Sequence, residues 1–163
     1  MSTRTQSPLS PSAVLETLTV HPLRASDFGG LVSLVAGSNL HYLCLAPGHL
    51  RRAAQENAID WTQGTVVARL GDEVVGFGLI ERGSDGRTAQ LTIGMETPYA
   101  RGPVADRLVR EIAHTARAQG IEKLETQIFR HTTESFASFR DAGLRTLGSM
   151  CLGGVTDVTL AVA

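Results

Sequence analysis

The sequence predicts an α/β protein, with a mixed β-sheet flanked by helices on both faces. Two observations carry this. β-branched and apolar residues mark three successive strands between residues 65 and 95, separated by Gly-containing turns. From residue 103 the apolar period lengthens to that of an amphipathic helix, and strands then alternate with helices. A meander followed by strand–helix–strand alternation gives antiparallel and parallel neighbours in one sheet.

The elements follow in order. In residues 16–24, ETLTVHPLR, Leu18 and Val20 alternate with polar neighbours as in a half-buried strand. Ser26 and Asp27 then offer an N-cap, and Leu31, Leu34 and Val35 recur at helical spacing. Gly37, Ser38 and Asn39 break that pattern, and Pro47-Gly48 marks a turn. Residues 49–58, HLRRAAQENA, are rich in helix formers and predict a second short helix. Strands at 65–70 and 73–81 flank the tight Gly71-Asp72 loop and form a hairpin. A second turn, GSDG at 83–86, leads to a strand at 88–95. Val104, Leu108, Ile112 and Ala116 then line one helix face, with Val109 and Ala113 beside them. Pro103 suits the first helical position, where its missing N–H costs nothing, and Gly120 suits the C′ position. Alternation returns at 121–129, a short helix spans 134–142 up to Gly143, and 155–162 is a final strand.

Composition narrows the function. The chain has 163 residues, which suits one domain, here 15–163 behind a flexible segment 1–14. Its 15 Lys and Arg against 16 Asp and Glu are scattered, so no basic stripe predicts nucleic acid as a partner. Cys44 and Cys151 form no CxxC pair, and the histidines show no metal-binding spacing, so neither a disulfide nor a metal is expected. The opening MSTRTQSPLSPS lacks the apolar stretch of a signal peptide, and no apolar run approaches the roughly 20 residues that span a membrane. A cytoplasmic protein with two reduced thiols is the expectation.

Three segments carry a family resemblance: TVVARLGDEVVGFGLIE, AQLTIGMETPYARGPVADRLVREIAHTARAQGIEKL and ESFASFRDAGLR. Over Thr65–Arg145 the chain resembles the GNAT acetyltransferases. Within that family it looks most like the bacterial protein lysine acetyltransferases that act on acetyl-CoA synthetase. The loosely similar stretch 41–68 adds to this. The resemblance implies acetyl-CoA as acyl donor and an amine, a protein lysine among the options, as acceptor.

The resemblance also implies where the cofactor lies. Met95, Glu96 and Thr97 would border it at the end of the strand. Arg101, Gly102, Pro103, Val104, Ala105 and Asp106 would border it at the turn into the helix. There, backbone N–H groups and the helix N-terminus attract a pyrophosphate. The family pattern, Gln/Arg-x-x-Gly-x-Gly/Ala, meets Ala100-Arg101-Gly102-Pro103-Val104-Ala105. Only Ala105 satisfies it; Ala100 replaces Gln/Arg, and Pro103 stands at the first glycine and removes an N–H donor. Arg101 supplies a compensating cation.

Catalytic positions depart from the pattern as well. Gln90 matches the glutamate that serves as base in the lysine-acetylating subgroup, and an amide takes no proton at neutral pH. Phe139 matches the acid tyrosine, and Thr133 an asparagine. Glu96, Glu81 and His131 are the replacement groups, Glu96 by position and His131 by its ordinary pKa near 6.5. Three functions follow. The first is an acyl-CoA-dependent N-acetyltransferase. The second is an inactive module of the same fold that binds a metabolite or partner. The third is a homodimer formed through the strand at 155–162.

Overall fold

Gly71 and Gly86 take positive φ angles of 59° and 71°, and at these two glycines the chain reverses between its central strands. The computed structural model describes residues 11–45, 64–129 and 135–162. Its helices are α1 (Pro11–Thr17), α2 (Phe28–Ala36), α3 (Pro103–Ala118) and α4 (Ser135–Asp141). Its strands are β1 (Leu18–Pro22), β2 (Leu40–Cys44), β3 (Thr65–Leu70), β4 (Glu73–Arg82), β5 (Thr88–Glu96), β6 (Lys123–Phe129), β7 (Leu144–Leu152) and β8 (Val155–Val162).

One sheet runs in the order β1-β3-β4-β5-β6-β8-β7, with β2 attached to β5. Among the described residues, every neighbouring pair of strands is antiparallel except β5–β6, the two strands that α3 connects. The mixed sheet is thus as the sequence predicts, and so is its two-sided cover. α3 lays Val104, Leu108, Ile112 and Ala116 on one face, and α2 packs Leu31 and Val35 over Val67, Phe77 and Leu79 on the other. Pro103 opens α3 and Gly120, with φ of 73°, closes it. The N–H of Ile121 reaches the carbonyl of Ala116 at 3.0 Å and that of Gly120 reaches Arg117 at 3.1 Å, a Schellman end.

Four expectations need correction. Residues 11–17 form a helix, so the first strand starts at Leu18 and not at 16. The break after Gly37 is followed by β2, and the stretch after Gly143 is β7; neither strand is expected from the sequence. The strand at 155–162 lies between β6 and β7, so both its edges are paired and it offers no edge to a second copy. Asp27 caps α2 with its backbone only, since its carboxylate turns inward. The expected helix at 49–58 lies outside the described residues.

That carboxylate joins three elements. Asp27 Oδ1 accepts from Arg69 Nη1 at 2.6 Å, and Oδ2 accepts from the Arg24 N–H at 2.8 Å and meets His21 Nε2 at 3.1 Å. Asp27 is fully buried, while Arg69 and His21 are 18% and 11% exposed. Burial pushes its pKa up, but the Arg24 N–H, Arg69 and His21 outweigh that and hold the carboxyl below its ordinary value.

α3 sits close on β4 because Gly78 has no side chain. A Cβ there would overlap Cδ1 and Cγ1 of Ile112. Gly78→Ala is therefore expected to destabilise the fold by about 1–3 kcal/mol, the usual cost of overpacking a core. Urea unfolding would read it as a lower midpoint at constant m; an unchanged midpoint would mean that α3 has room to lift.

Candidate functional site

β5 and β6 pair over three residues and then part. Thr88 faces Lys123, Ala89 faces Leu124 and Gln90 faces Glu125. Beyond Gln90 the edge of β5 passes to β2, whose Leu40 faces Glu96 and whose Cys44 faces Ile93. Leu45 bridges to Gln127 on β6, with backbone bonds of 2.9 and 3.1 Å. The two strands thus form a fork with its apex just past Gln90 and Glu125. β2 fills the gap between the arms. At the apex, the Thr126 hydroxyl donates to the Leu91 carbonyl at 2.7 Å, tying the two arms of the fork together.

Strand alternation decides what faces each side of the apex. Leu91, Ile93 and Met95 point into the core under α3. Gln90 points to the opposite face, between Glu81 on β4 and Glu125 on β6, its register partners. There it lines a groove of about 540 Å³ with Glu125, Gln127, Asp157, Thr159 and the exposed Met150. The Gln127 amide donates to Asp157 Oδ1 at 2.8 Å, which fixes one carboxylate at the groove wall. Glu125 and Asp157 were not singled out from the sequence. The signal for Glu125 was present, since Leu124 and Ile128 in the core put 125 and 127 outward.

Glu96 stands elsewhere. It lies on the same face as Gln90 but six residues on, about 20 Å along the strand. It borders a separate cleft of about 410 Å³ with Gly30, Asn39, Leu40 and Glu73. Burial, and then the charge of Glu73, holds its carboxyl above the ordinary value. Tyr99, packed against the core beside it, is raised by burial first and then by Glu96 and Glu73. Gln90 and Glu96 are therefore not brought together. His131 and Thr133 lie outside the described residues. Phe139 is buried in the core beside α3.

The turn into α3 lies at the open end of the fork. Thr97–Tyr99 form one 3-10 turn, and Gly102 has φ of 98°, a conformation open to glycine and strained for other residues. A Cβ at Gly102 would meet nothing within 4 Å, so the space in front of the turn is open. The first helical hydrogen bond runs from the Asp106 N–H to the Gly102 carbonyl at 3.1 Å. Val104 and Ala105 precede it, so their N–H groups lie in the first turn, where a helix leaves donors for an outside partner. Asp106 sends its carboxylate to the Ser138 hydroxyl at 2.7 Å, on α4. These residues fit an anionic group at the turn with two backbone donors, and Pro103 withholds a third. Among the described residues no group of three or more His, Cys, Asp or Glu side chains could hold a metal ion. No described helix is long and apolar enough to cross a membrane.

A forked mixed sheet with a crossover helix starting at a glycine turn is the arrangement of the GNAT-fold class of α/β proteins. The chain belongs to the acetyltransferase (GNAT) family, whose model matches residues 38–143. Among solved structures, the GNAT domain of S. lividans PAT superposes with a TM-score of 0.63 at 19% identity, covering 87% of this chain and 89% of that one. yncA from Salmonella typhimurium, solved with its cofactor acetyl-CoA, gives 0.61 at 12% identity, over 90% and 95%. An N-acetyltransferase from Kribbella flavida gives 0.61 at 17%, over 90% and 97%. These likenesses show the fold. No curated protein matches the chain in sequence.

Proposed function

We propose that the protein transfers an acetyl group from acetyl-CoA to an alkyl amine, with the reacting atoms at the apex of the fork. The observation that carries this reading is the parting of β5 and β6 directly after Gln90 and Glu125. It makes a fork in the sheet, filled by β2, with a polar groove on one face and the first turn of α3 beyond the end of β5. Acetyl-CoA supplies an acyl carbon activated by its thioester. The chain's own residues do the rest. The N–H groups of Val104 and Ala105, with Arg101 beside them, bind phosphate. Glu125, at the apex, accepts a proton from an ammonium in the groove, and Gln90 orients the amine by hydrogen bonding. Asp157 attracts the incoming cation, and the apolar Met150 borders its alkyl chain. That combination suits a lysine side chain.

A second reading, an inactive module that binds a metabolite or partner, is favoured by β2 in the fork together with Gln90, Phe139, Ala100 and Pro103. Calorimetry with acetyl-CoA, followed by thioester cleavage with a panel of amines and lysine peptides, separates the two. Binding with amine-dependent thiol release supports the transferase. Binding without release supports the module. Absence of binding removes acetyl-CoA from both.

Pro103→Gly tests the turn. Restoring an N–H at the helix N-terminus is expected to strengthen CoA binding by ~1 kcal/mol or more, about fivefold to tenfold. The helix should weaken slightly, since glycine is a poorer first residue than proline. Equal CoA affinity in both forms would place the phosphates elsewhere.

A further inference from the structure

The fork is filled by the chain itself. Leu40, His41, Tyr42 and Cys44 face Glu96, Met95, Gly94 and Ile93, and Leu45 reaches Gln127 across the gap. β4 covers the other edge of β5 from Ala89 to Met95, and β6 covers residues 88–90. The β5 edge beyond β6, where an extended ligand enters between the arms, thus runs from Leu91 to Glu96, and β2 takes Ile93–Glu96 of it. A ligand with phosphates at the first turn of α3 and a reacting end near Gln90 must run along it. An arm with amide groups would pair there as a peptide adds to a sheet edge.

From these pairings we propose that β2 is a removable plug: the arm of an acyl-CoA and β2 take the same edge of β5 and exclude each other. The proposal rests on the acetyl-CoA reading above. β2 is built to leave. It has five residues, a bulge interrupts it between Tyr42 and Cys44, and one bridge ties its end to β6. Part of what it loses on leaving, the arm's amides restore to β5. The plug lowers apparent affinity by the fraction of molecules whose fork is open.

Displacement has its own reporter. Cys44 is fully buried at the apex, where burial pushes its thiol up to about 12 against a smaller lowering by the Thr126 hydroxyl. In place, it is inert; released with β2 into water, it regains an ordinary thiol's reactivity. Cys151 is exposed and would mask the signal, so Cys151→Ser is the background.

Two measurements test the plug. In that background, desulfo-CoA, which has the arm but no thiol, is expected to speed labelling of Cys44 by a thiol reagent at least about tenfold. Adenosine 3′,5′-bisphosphate, which has no arm, should leave the rate unchanged. Desulfo-CoA that binds by calorimetry while Cys44 stays at its unliganded rate overturns the proposal. The second measurement locks the plug. Leu40 and Glu96 face each other across antiparallel strands, at a spacing that suits a disulfide. The double variant Leu40→Cys, Glu96→Cys should bind desulfo-CoA at least about tenfold more weakly when oxidised than when reduced. Equal affinity in the two states overturns the plug and leaves the acetyl-CoA reading standing. If neither the reduced variant nor the unaltered chain binds, both fall.

Discussion

Replacing Gln90 by glutamate in a chain whose Glu125 is glutamine is expected to raise acetyl transfer by a factor on the order of 10²–10⁴, the worth of a positioned general base. Gln90 lines the groove at the apex of the fork, between Glu81 and Glu125 on the neighbouring strands. In that chain a carboxylate at position 90, facing Glu81, would be pushed up in pKa by like charge, toward the range where a base works near neutral pH. The facing like charges should cost stability, up to about 1 kcal/mol per facing pair. Kinetics with lysine peptides would show the gain in kcat, with the KM for acetyl-CoA little changed. Glu125→Gln alone is the companion. It should lower the rate of the natural chain, and the Gln90→Glu gain is measured from there, because the proton then has a new acceptor. If Gln90→Glu does nothing in that chain while the natural chain turns over, the amine does not pass position 90. If Glu125→Gln leaves the natural rate intact, Glu125 is not the base, and Glu96 or His131 becomes the group to test.

Asp27→Asn is expected to destabilise the protein by about 3–5 kcal/mol, the usual result of removing one partner from a buried ion pair. For a chain of this size that is a fall in Tm of roughly 6–20 °C. The amide keeps the shape but leaves the Arg69 guanidinium without its counter-charge beside β1, α2 and β3. The pH dependence has a definite sign. The folded-state pKa of Asp27 is depressed, so its contribution is complete above the ordinary value of 3.8 and is lost as pH falls below it through the folded-state value. The natural chain should therefore lose stability below about pH 4 more steeply than the Asn variant. Parallel acid-unfolding curves for the two would show that Asp27 is not held in its charged form.

The parts of the fold legible in the sequence are those whose signal is local. β3, β4 and β5 are short runs of β-branched and apolar residues around Gly-containing turns, and α3 repeats its apolar residues every three to four positions between Pro103 and Gly120. β2 was not legible, because LHYLC becomes a strand by pairing with Ile93–Glu96, some fifty residues away in the chain. β7 mixes Arg, Thr, Gly and Ser among its apolar residues and has a bulge between Thr146 and Gly148, which breaks the alternation. Its one local clue was Gly153-Gly154, a hairpin turn in which Gly153 has φ of 65°. The site divides the same way. Alternation along β5, with Leu91, Ile93 and Met95 in the core, puts Gln90 on the groove face. Its distance from Glu96, and its closeness to Glu125 and Asp157, depend on which strands meet, and β8 entering beside β6 is a long-range event that no spacing in the sequence announces.

The three facing pairs of β5 and β6 have a further consequence. They join β1-β3-β4-β5 on one side to β6-β8-β7 on the other, with α3 laid across one face and the Thr126–Leu91 bond beside them. Each side is a run of closely registered antiparallel pairs, while the seam is short. The protein should then behave as two cooperative blocks in amide hydrogen exchange, each protected in its middle strands. Leu45 and Gln127, whose bonds bridge the gap, should exchange early and together. A subglobal opening at this seam would separate the blocks before either one melts.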